Sequence, residues 1–75
     1  MRANRLRELR LARRMSQLQL AAAAGTTPTL ISFIERYGHV PRADLRRRLA
    51  RALGVDESDV WPEMDNENRT TRTLE

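Results

Sequence analysis

The fold of this chain is constrained most by one glycine, Gly25, which separates two short segments with strong helix signals. Ser16 is a preferred residue for capping the start of a helix, and Gln19 stands three residues later, as a capping box requires. Four consecutive alanines lead to Gly25, where a left-handed turn can end the helix. Thr27 caps a second helix, and Pro28 takes its first position. The sequence therefore predicts two helices joined by a tight turn, the first thin enough for close crossing.

Apolar residues recur three or four positions apart on both sides of this pair, which is typical of helices with one buried face. A short fifth helix is predicted between Asp56 and Pro62. The predicted helices cover residues 3–14, 17–24, 28–36, 42–53 and 57–61. The predicted core contains Leu6, Leu9, Met15, Leu20, Ile31, Ile34, Leu45, Leu49 and Leu53. The expected fold class is all-α, a compact bundle of four to five short helices.

Charge is distributed unevenly along the chain. Residues 1–54 hold twelve Arg and three acidic residues, whereas residues 55–75 hold two Arg and seven acidic residues. The net charges of +9 and −5 together give the +4 of the whole chain. A basic body is typical of nucleic-acid-binding proteins, although a well-solvated surface explains it equally well. The run Arg46-Arg47-Arg48 points in several directions around a helix, so most of it is expected to be solvated.

The composition changes after residue 62. Residues 63–75 are polar and show no apolar periodicity, which predicts a disordered tail. The expected organisation is therefore one helical domain over residues 1–62, followed by this tail. Leu74 and Glu75 at its end resemble residues left by a cloning vector.

The residue inventory excludes several classes of protein. The chain has no Cys and one His, His39, so it offers no disulfide framework, no thiolate metal site and no multi-His metal site. It has neither a Gly-rich phosphate loop nor a rigid cluster of acidic residues, so we expect no enzyme and no cofactor. No segment approaches the roughly 20 apolar residues of a membrane span, and no signal peptide is evident. We therefore expect a cytoplasmic protein without membrane partners.

The joint spacing of these features matches a known family. The pattern SQ..LA...G.T...I..IER, followed by Pro41 and LRRRLARALGV, resembles the Cro/C1-type (Xre-like) helix-turn-helix of phage repressors and small bacterial regulators. The resemblance covers about residues 4–61 and implies a lambda-repressor-like domain. It also implies a transcriptional regulator, most often a repressor, that binds double-stranded DNA with its third helix in the major groove. A scaffold ion pair between Arg10 and Glu35 is implied as well.

The same resemblance implies a set of DNA contacts. Gln17 is expected to contact a phosphate, with a solvated side chain in the capping motif as the alternative. Arg36 is expected to contact guanine or a phosphate. The third helix and the loop after it supply the remaining candidates, and the full set is Gln17, Thr27, Pro28, Thr29, Leu30, Ser32, Phe33, Arg36, Tyr37, His39 and Arg42.

The third helix departs from the family pattern. Pro28, Leu30 and Phe33 are apolar where many relatives carry polar residues. Two interpretations follow. The helix contacts thymine methyl groups and depends on phosphates and DNA shape, or its apolar face binds a protein partner, as in an antitoxin or the partner of a larger regulator. We favour DNA because the Arg residues remain on the body of the domain.

A homodimer is expected because single modules bind half-sites weakly and two-fold operators match two-fold proteins. The predicted interface consists of Val60, Trp61 and Met64. The alternative for Trp61 is that it covers the core of its own protomer.

Overall fold

Five helices make up the part of the chain that the computed structural model describes, residues 4–62. They are α1 (Leu6–Ala12), α2 (Gln17–Ala24), α3 (Pro28–Tyr37), α4 (Ala43–Leu53) and α5 (Glu57–Val60). No strand occurs within that range, which confirms the all-α prediction. The predicted disordered tail, its suggested vector-derived end and Met64 lie outside the described residues.

Helix α1 is shorter than the predicted span of 3–14, because it begins at Leu6 and ends at Ala12. At its start, the side-chain oxygen of Asn4 accepts a hydrogen bond from the Leu6 N–H at 3.0 Å, so the chain turns here before the helix begins. At its end, Arg14 has a left-handed backbone with φ of 56°, and its N–H bonds to the Leu11 carbonyl at 2.9 Å. The helix therefore closes in a tight turn after Ala12. The other helix ends differ from the prediction by at most one residue.

Helix α2 and the turn after it form as predicted. Ser16 Oγ accepts from the Gln19 N–H at 3.0 Å, and Gln19 Oε1 accepts from the Ser16 N–H at 2.8 Å, which completes the capping box. Gly25 has φ of 71°, and the Thr26 N–H bonds back to the Ala21 carbonyl at 2.9 Å. This is the Schellman geometry, which satisfies carbonyl groups that the helix end leaves free.

The core lies where all five helices meet. Its fully buried side chains are Leu6, Leu20, Ile31, Ile34, Leu49, Leu53 and Val60. The predicted core is confirmed, with Met15 only partly buried at its margin. Each fully buried side chain of this kind contributes roughly 1.5–3 kcal/mol.

The C-terminal helix completes this core. Val60 is fully buried and Trp61 is 4% exposed, and both pack among the residues of the other helices. The Val60 carbonyl also accepts a hydrogen bond from the Arg5 N–H at 3.0 Å, which ties α5 to the start of α1. The predicted dimer interface is therefore wrong for these two residues, because their surface is already used within the protomer. The alternative given for Trp61, that it covers the core, is confirmed.

Candidate nucleic-acid interface

Helix α3 begins with a well-formed cap at the edge of the domain. Thr27 Oγ1 accepts a hydrogen bond from the Leu30 N–H at 3.2 Å, and Pro28 takes the first position, as predicted. The helix buries Ile31 and Ile34, which fixes the direction of its remaining side chains. Of the candidate residues in this region, the structure exposes Thr27, Pro28, Thr29, Phe33, Arg36, Tyr37, His39 and Arg42.

Leu30 and Ser32 are less accessible than the sequence suggested. Leu30 is half-buried and packs against the hydrophobic core, because it lies one turn before the buried Ile34 on the same side of the helix. The expectation that Leu30 belongs to an exposed apolar face is therefore wrong. Ser32 is also half-buried. The exposed apolar surface of α3 is thus smaller than predicted.

Phe33 belongs instead to an aromatic cluster at the C-terminal part of α3. Its ring lies 5.0 Å from the ring of Tyr37 and 5.6 Å from that of His39, between centroids. These distances are typical of aromatic pairs in tilted or edge-to-face contact. Phe33 is 47% exposed and Tyr37 is 67% exposed, so the cluster faces outward. The spacing of four residues between Phe33 and Tyr37 could have indicated this pairing from the sequence.

A buried ion pair lies behind the interface. Arg10 donates from Nε to Glu35 Oε2 at 2.6 Å and from Nη2 to Glu35 Oε1 at 3.1 Å, which confirms the predicted pair. Their side chains are only 8% and 4% exposed. Arg10 Nη1 also donates to the Met15 carbonyl at 2.8 Å. One guanidinium thereby joins α1, α3 and the loop before α2.

Gln17 is held by the same carboxylate. Its Nε2 donates to Glu35 Oε1 at 3.1 Å, so the side chain is fixed against α3 rather than solvated. The sequence predicted that Gln17 contacts a phosphate or is solvated, and it did not predict this hydrogen bond to Glu35. A Gln amide group has two donor protons, so a second hydrogen bond from Nε2 is still available.

A polar groove opens above this ion pair, where α1, α2 and α3 meet. Its volume is about 320 Å³. It is lined by Arg7, Arg10, Gln17, Ser32, Glu35 and Arg36. Arg7 was absent from the candidates because α1 lies outside the helix-turn-helix pattern. Only the packing of three helices places Arg7 in the same groove as Arg36.

Two arginines of the run Arg46-Arg47-Arg48 make hydrogen bonds that stabilise the fold. Arg46 Nη1 donates to the Pro41 carbonyl at 2.7 Å, and its Nε lies 3.3 Å from Glu57 Oε1. Arg48 Nη1 donates to the Ala24 carbonyl at 3.0 Å, and so supports the C-terminal end of α2. Arg47 and Arg48 are exposed, as predicted for most of this run. Two of the three side chains therefore stabilise the fold.

Arg42 lies at the start of α4, next to the aromatic cluster. It is the residue before the first turn of that helix and is exposed. Together with His39 and Leu30 it borders a second groove of about 340 Å³, between α4 and the loop that follows α3. Arg42 and His39 of the aromatic cluster therefore lie on the same groove.

A family model described as helix-turn-helix matches residues 6–60, from the first residue of α1 to the last residue of α5. The chain belongs to the Cro/C1-type helix-turn-helix family. A helix-turn-helix domain of this family is a DNA-binding regulatory module, and DNA is its partner. In this Cro/C1-type domain α2 and α3 are the two helices of the motif, and Gly25 lies in the turn between them. No match was found among curated proteins.

Two further observations concern other kinds of site. Across residues 4–62 of this helix-turn-helix domain, no group of three His, Asp or Glu side chains is placed to hold a metal ion. Within the same range, none of the helices has both the length and the apolar character needed to cross a membrane.

Proposed function

We propose that this protein is a sequence-specific transcriptional repressor of phage or bacterial type, which acts in the cytoplasm by binding double-stranded DNA. The observation that carries the proposal is the geometry of α3. Its N-terminal turn and its Phe33 side are exposed, while Ile31 and Ile34 anchor it in the core. A helix held in this way projects from the domain and fits the major groove.

Base contacts in this proposal come from the exposed side of α3. Thr29 offers a hydroxyl to base edges, while Pro28 and Phe33 offer apolar surface to thymine methyl groups. Few hydrogen-bonding side chains are available, so the preferred site is expected to be rich in thymine. Positions without direct contact are discriminated through the shape and deformability of the duplex.

Backbone contacts flank the base contacts on both sides of α3. Gln17 keeps one amide proton for a phosphate oxygen at the start of α2. Thr27, Tyr37, His39 and Arg42 are exposed, and each carries a group that can donate to phosphate. These contacts would fix the orientation of α3 without selecting a sequence.

We further propose that two protomers bind a two-fold symmetric site as a homodimer, with one α3 in each half-site. Because Val60 and Trp61 are buried in the protomer, the dimer contact must involve other residues. Half-sites about one helical turn apart would support this arrangement.

A protein-binding role for the apolar side of α3 has less support. Leu30 packs against the core, so Phe33 and Tyr37 are the exposed apolar residues that remain on this helix. A Phe33→Glu variant separates the two roles. If that variant loses DNA affinity, the apolar side of α3 contacts DNA. If its DNA affinity is unchanged, the result supports a protein-binding role for this side.

The proposal is tested by selecting bound sites from a pool of random duplexes. A specific regulator enriches one motif and binds it at least about 10³-fold more tightly than a scrambled duplex. Gln17→Ala is expected to weaken binding to both duplexes. Enrichment of no motif would contradict the sequence-specific function.

A further inference from the structure

The polar groove where α1, α2 and α3 meet carries a net positive charge that is not paired within the described residues. Arg10 and Glu35 lie at its base and neutralise each other through two hydrogen bonds. The charges that remain are the guanidinium groups of Arg7 and Arg36, both exposed. Among residues 4–62, neither has a carboxylate within ion-pair distance.

We propose that Arg7 and Arg36 together hold one phosphate group of the DNA backbone in this groove. Arg7 then becomes a DNA-contacting residue of α1, outside the two helices of the motif. The inference rests on the proposed binding of duplex DNA and assigns a specific contact within it.

The chemistry of the groove fits a phosphate. Guanidinium groups present several N–H donors in a planar fork that matches phosphate oxygens. Gln17 and Ser32 line the same groove and supply neutral hydrogen-bonding groups. The groove contains one carboxylate, Glu35, and its charge is already compensated by Arg10.

The placement of Arg36 also decides its role. Ser32 and Arg36 are one turn apart and both line the groove beside α1. Phe33 and Tyr37 form the neighbouring row, in which the aromatic cluster lies. Arg36 therefore anchors the backbone rather than contacting guanine, and base discrimination falls to the first turn of α3 and to Phe33.

The first test is the salt dependence of binding, measured with the full chain on a selected duplex and on a scrambled duplex. Log K falls as log salt rises, and removing one phosphate contact reduces the steepness of this fall by about 0.9. A lower slope means a smaller steepness. We expect Arg7→Gln and Arg36→Gln each to lower the slope. The double variant should lower it by about 0.9 in total, because both side chains serve one phosphate.

The matched control is Arg51→Gln, which removes the same charge from an exposed position in the last turn of α4. Its slope should equal that of the wild type. The shared phosphate contact is overturned if Arg7→Gln behaves like this control, or if the double variant lowers the slope by about 1.8. It is also overturned if Arg36→Gln weakens only the selected duplex, because that loss indicates a base contact.

The second test locates the phosphate. Methylphosphonate groups, which are uncharged, replace the backbone phosphates one position at a time. At one position the replacement should weaken the wild type most, weaken the Arg7→Gln and Arg36→Gln variants less, and leave the double variant unaffected. Two different positions for the two variants would overturn the proposal. A different result would contradict the proposed sequence-specific function, namely equal binding of the wild type to the selected and the scrambled duplex.

Discussion

Arg10 Nε lies 2.6 Å from Glu35 Oε2, and this contact joins the first and third helices across 25 residues of sequence. Gln17 donates to the other oxygen of the same carboxylate at 3.1 Å. Three helices therefore meet at Glu35, and all three carry proposed DNA contacts. The orientation of the helix-turn-helix unit depends on a carboxylate that itself faces the interior.

Replacement of Glu35 by Ala is expected to destabilise the domain by about 3–5 kcal/mol, because it leaves the buried Arg10 charge without a partner. Urea denaturation followed by circular dichroism measures this loss. The matched control is Glu8→Ala. Arg5 donates a hydrogen bond to Glu8 and lowers the pKa of its carboxyl group, but this pair is exposed. Equal losses in the two variants would contradict the structural role of Glu35.

Gly25→Ala is expected to cost more stability than Gly54→Ala. Both glycines have left-handed backbones, with φ of 71° and 72°, where an alanine is strained by about 1–2 kcal/mol. A Cβ atom at Gly25 would also lie 2.9 Å from Arg48 Nη1, whereas one at Gly54 meets nothing within 4 Å.

The additional cost at Gly25 is expected to be about 1 kcal/mol, the usual value of the hydrogen bond that Arg48 would give up at the end of α2. The free energies of unfolding measure it directly. In an Arg48→Met background the two glycine substitutions should cost the same. A difference that persists in that background would exclude Arg48 as its cause.

Leu30 and Phe33 are expected to have opposite roles although both are apolar residues of α3. Leu30→Ala should destabilise the domain by about 1–2 kcal/mol, because the side chain is half-buried against the core. Phe33→Ala should leave the melting temperature almost unchanged and weaken DNA binding, because the ring is 47% exposed.

Uracil in place of thymine tests the Phe33 contact, because uracil lacks the methyl group that Phe33 is proposed to touch. Substitution at the contacted position should weaken the wild type and leave Phe33→Ala unaffected. Equal losses in both proteins at every thymine would show that Phe33 contacts no methyl group.

Trp61→Ala is expected to destabilise the protomer by about 3–5 kcal/mol, because the indole ring is buried in the core. Thermal unfolding at several protein concentrations separates this effect from loss of a dimer. The destabilisation should be the same at low and high concentration. A loss that appears only at concentrations where the wild type is dimeric would place Trp61 at an interface.

Local signals in the sequence predicted most of the scaffold. The caps at Ser16 and Thr27, the turn at Gly25 and the core positions follow from residue type and spacing over a few residues, and the structure confirms each of them. The Arg10–Glu35 pair was predicted by resemblance to the family, because no local pattern connects residues so far apart.

Most of the features that were missed depend on contacts between helices. Leu30 lies one turn before Ile34, so its spacing could have placed it at the margin of the core, but the extent of its burial depends on the neighbouring helices. Arg48 belongs to a charged run, yet it bonds to the end of α2, 24 residues earlier. Arg7 and Arg36 line one groove because α1 docks on α3. Spacing within one helix carries no information on such contacts.

The most direct measurement of the central claim, that α3 is the helix that contacts DNA bases, is photo-crosslinking on the selected duplex. Each thymine is replaced in turn by 5-iodouracil, whose iodine occupies the place of the methyl group, and the crosslinked peptide is identified by mass spectrometry. Crosslinks within α3, at Phe33 or its aromatic neighbour Tyr37, are the predicted result. Crosslinks confined to residues outside α3 and the loop that follows it would contradict the claim.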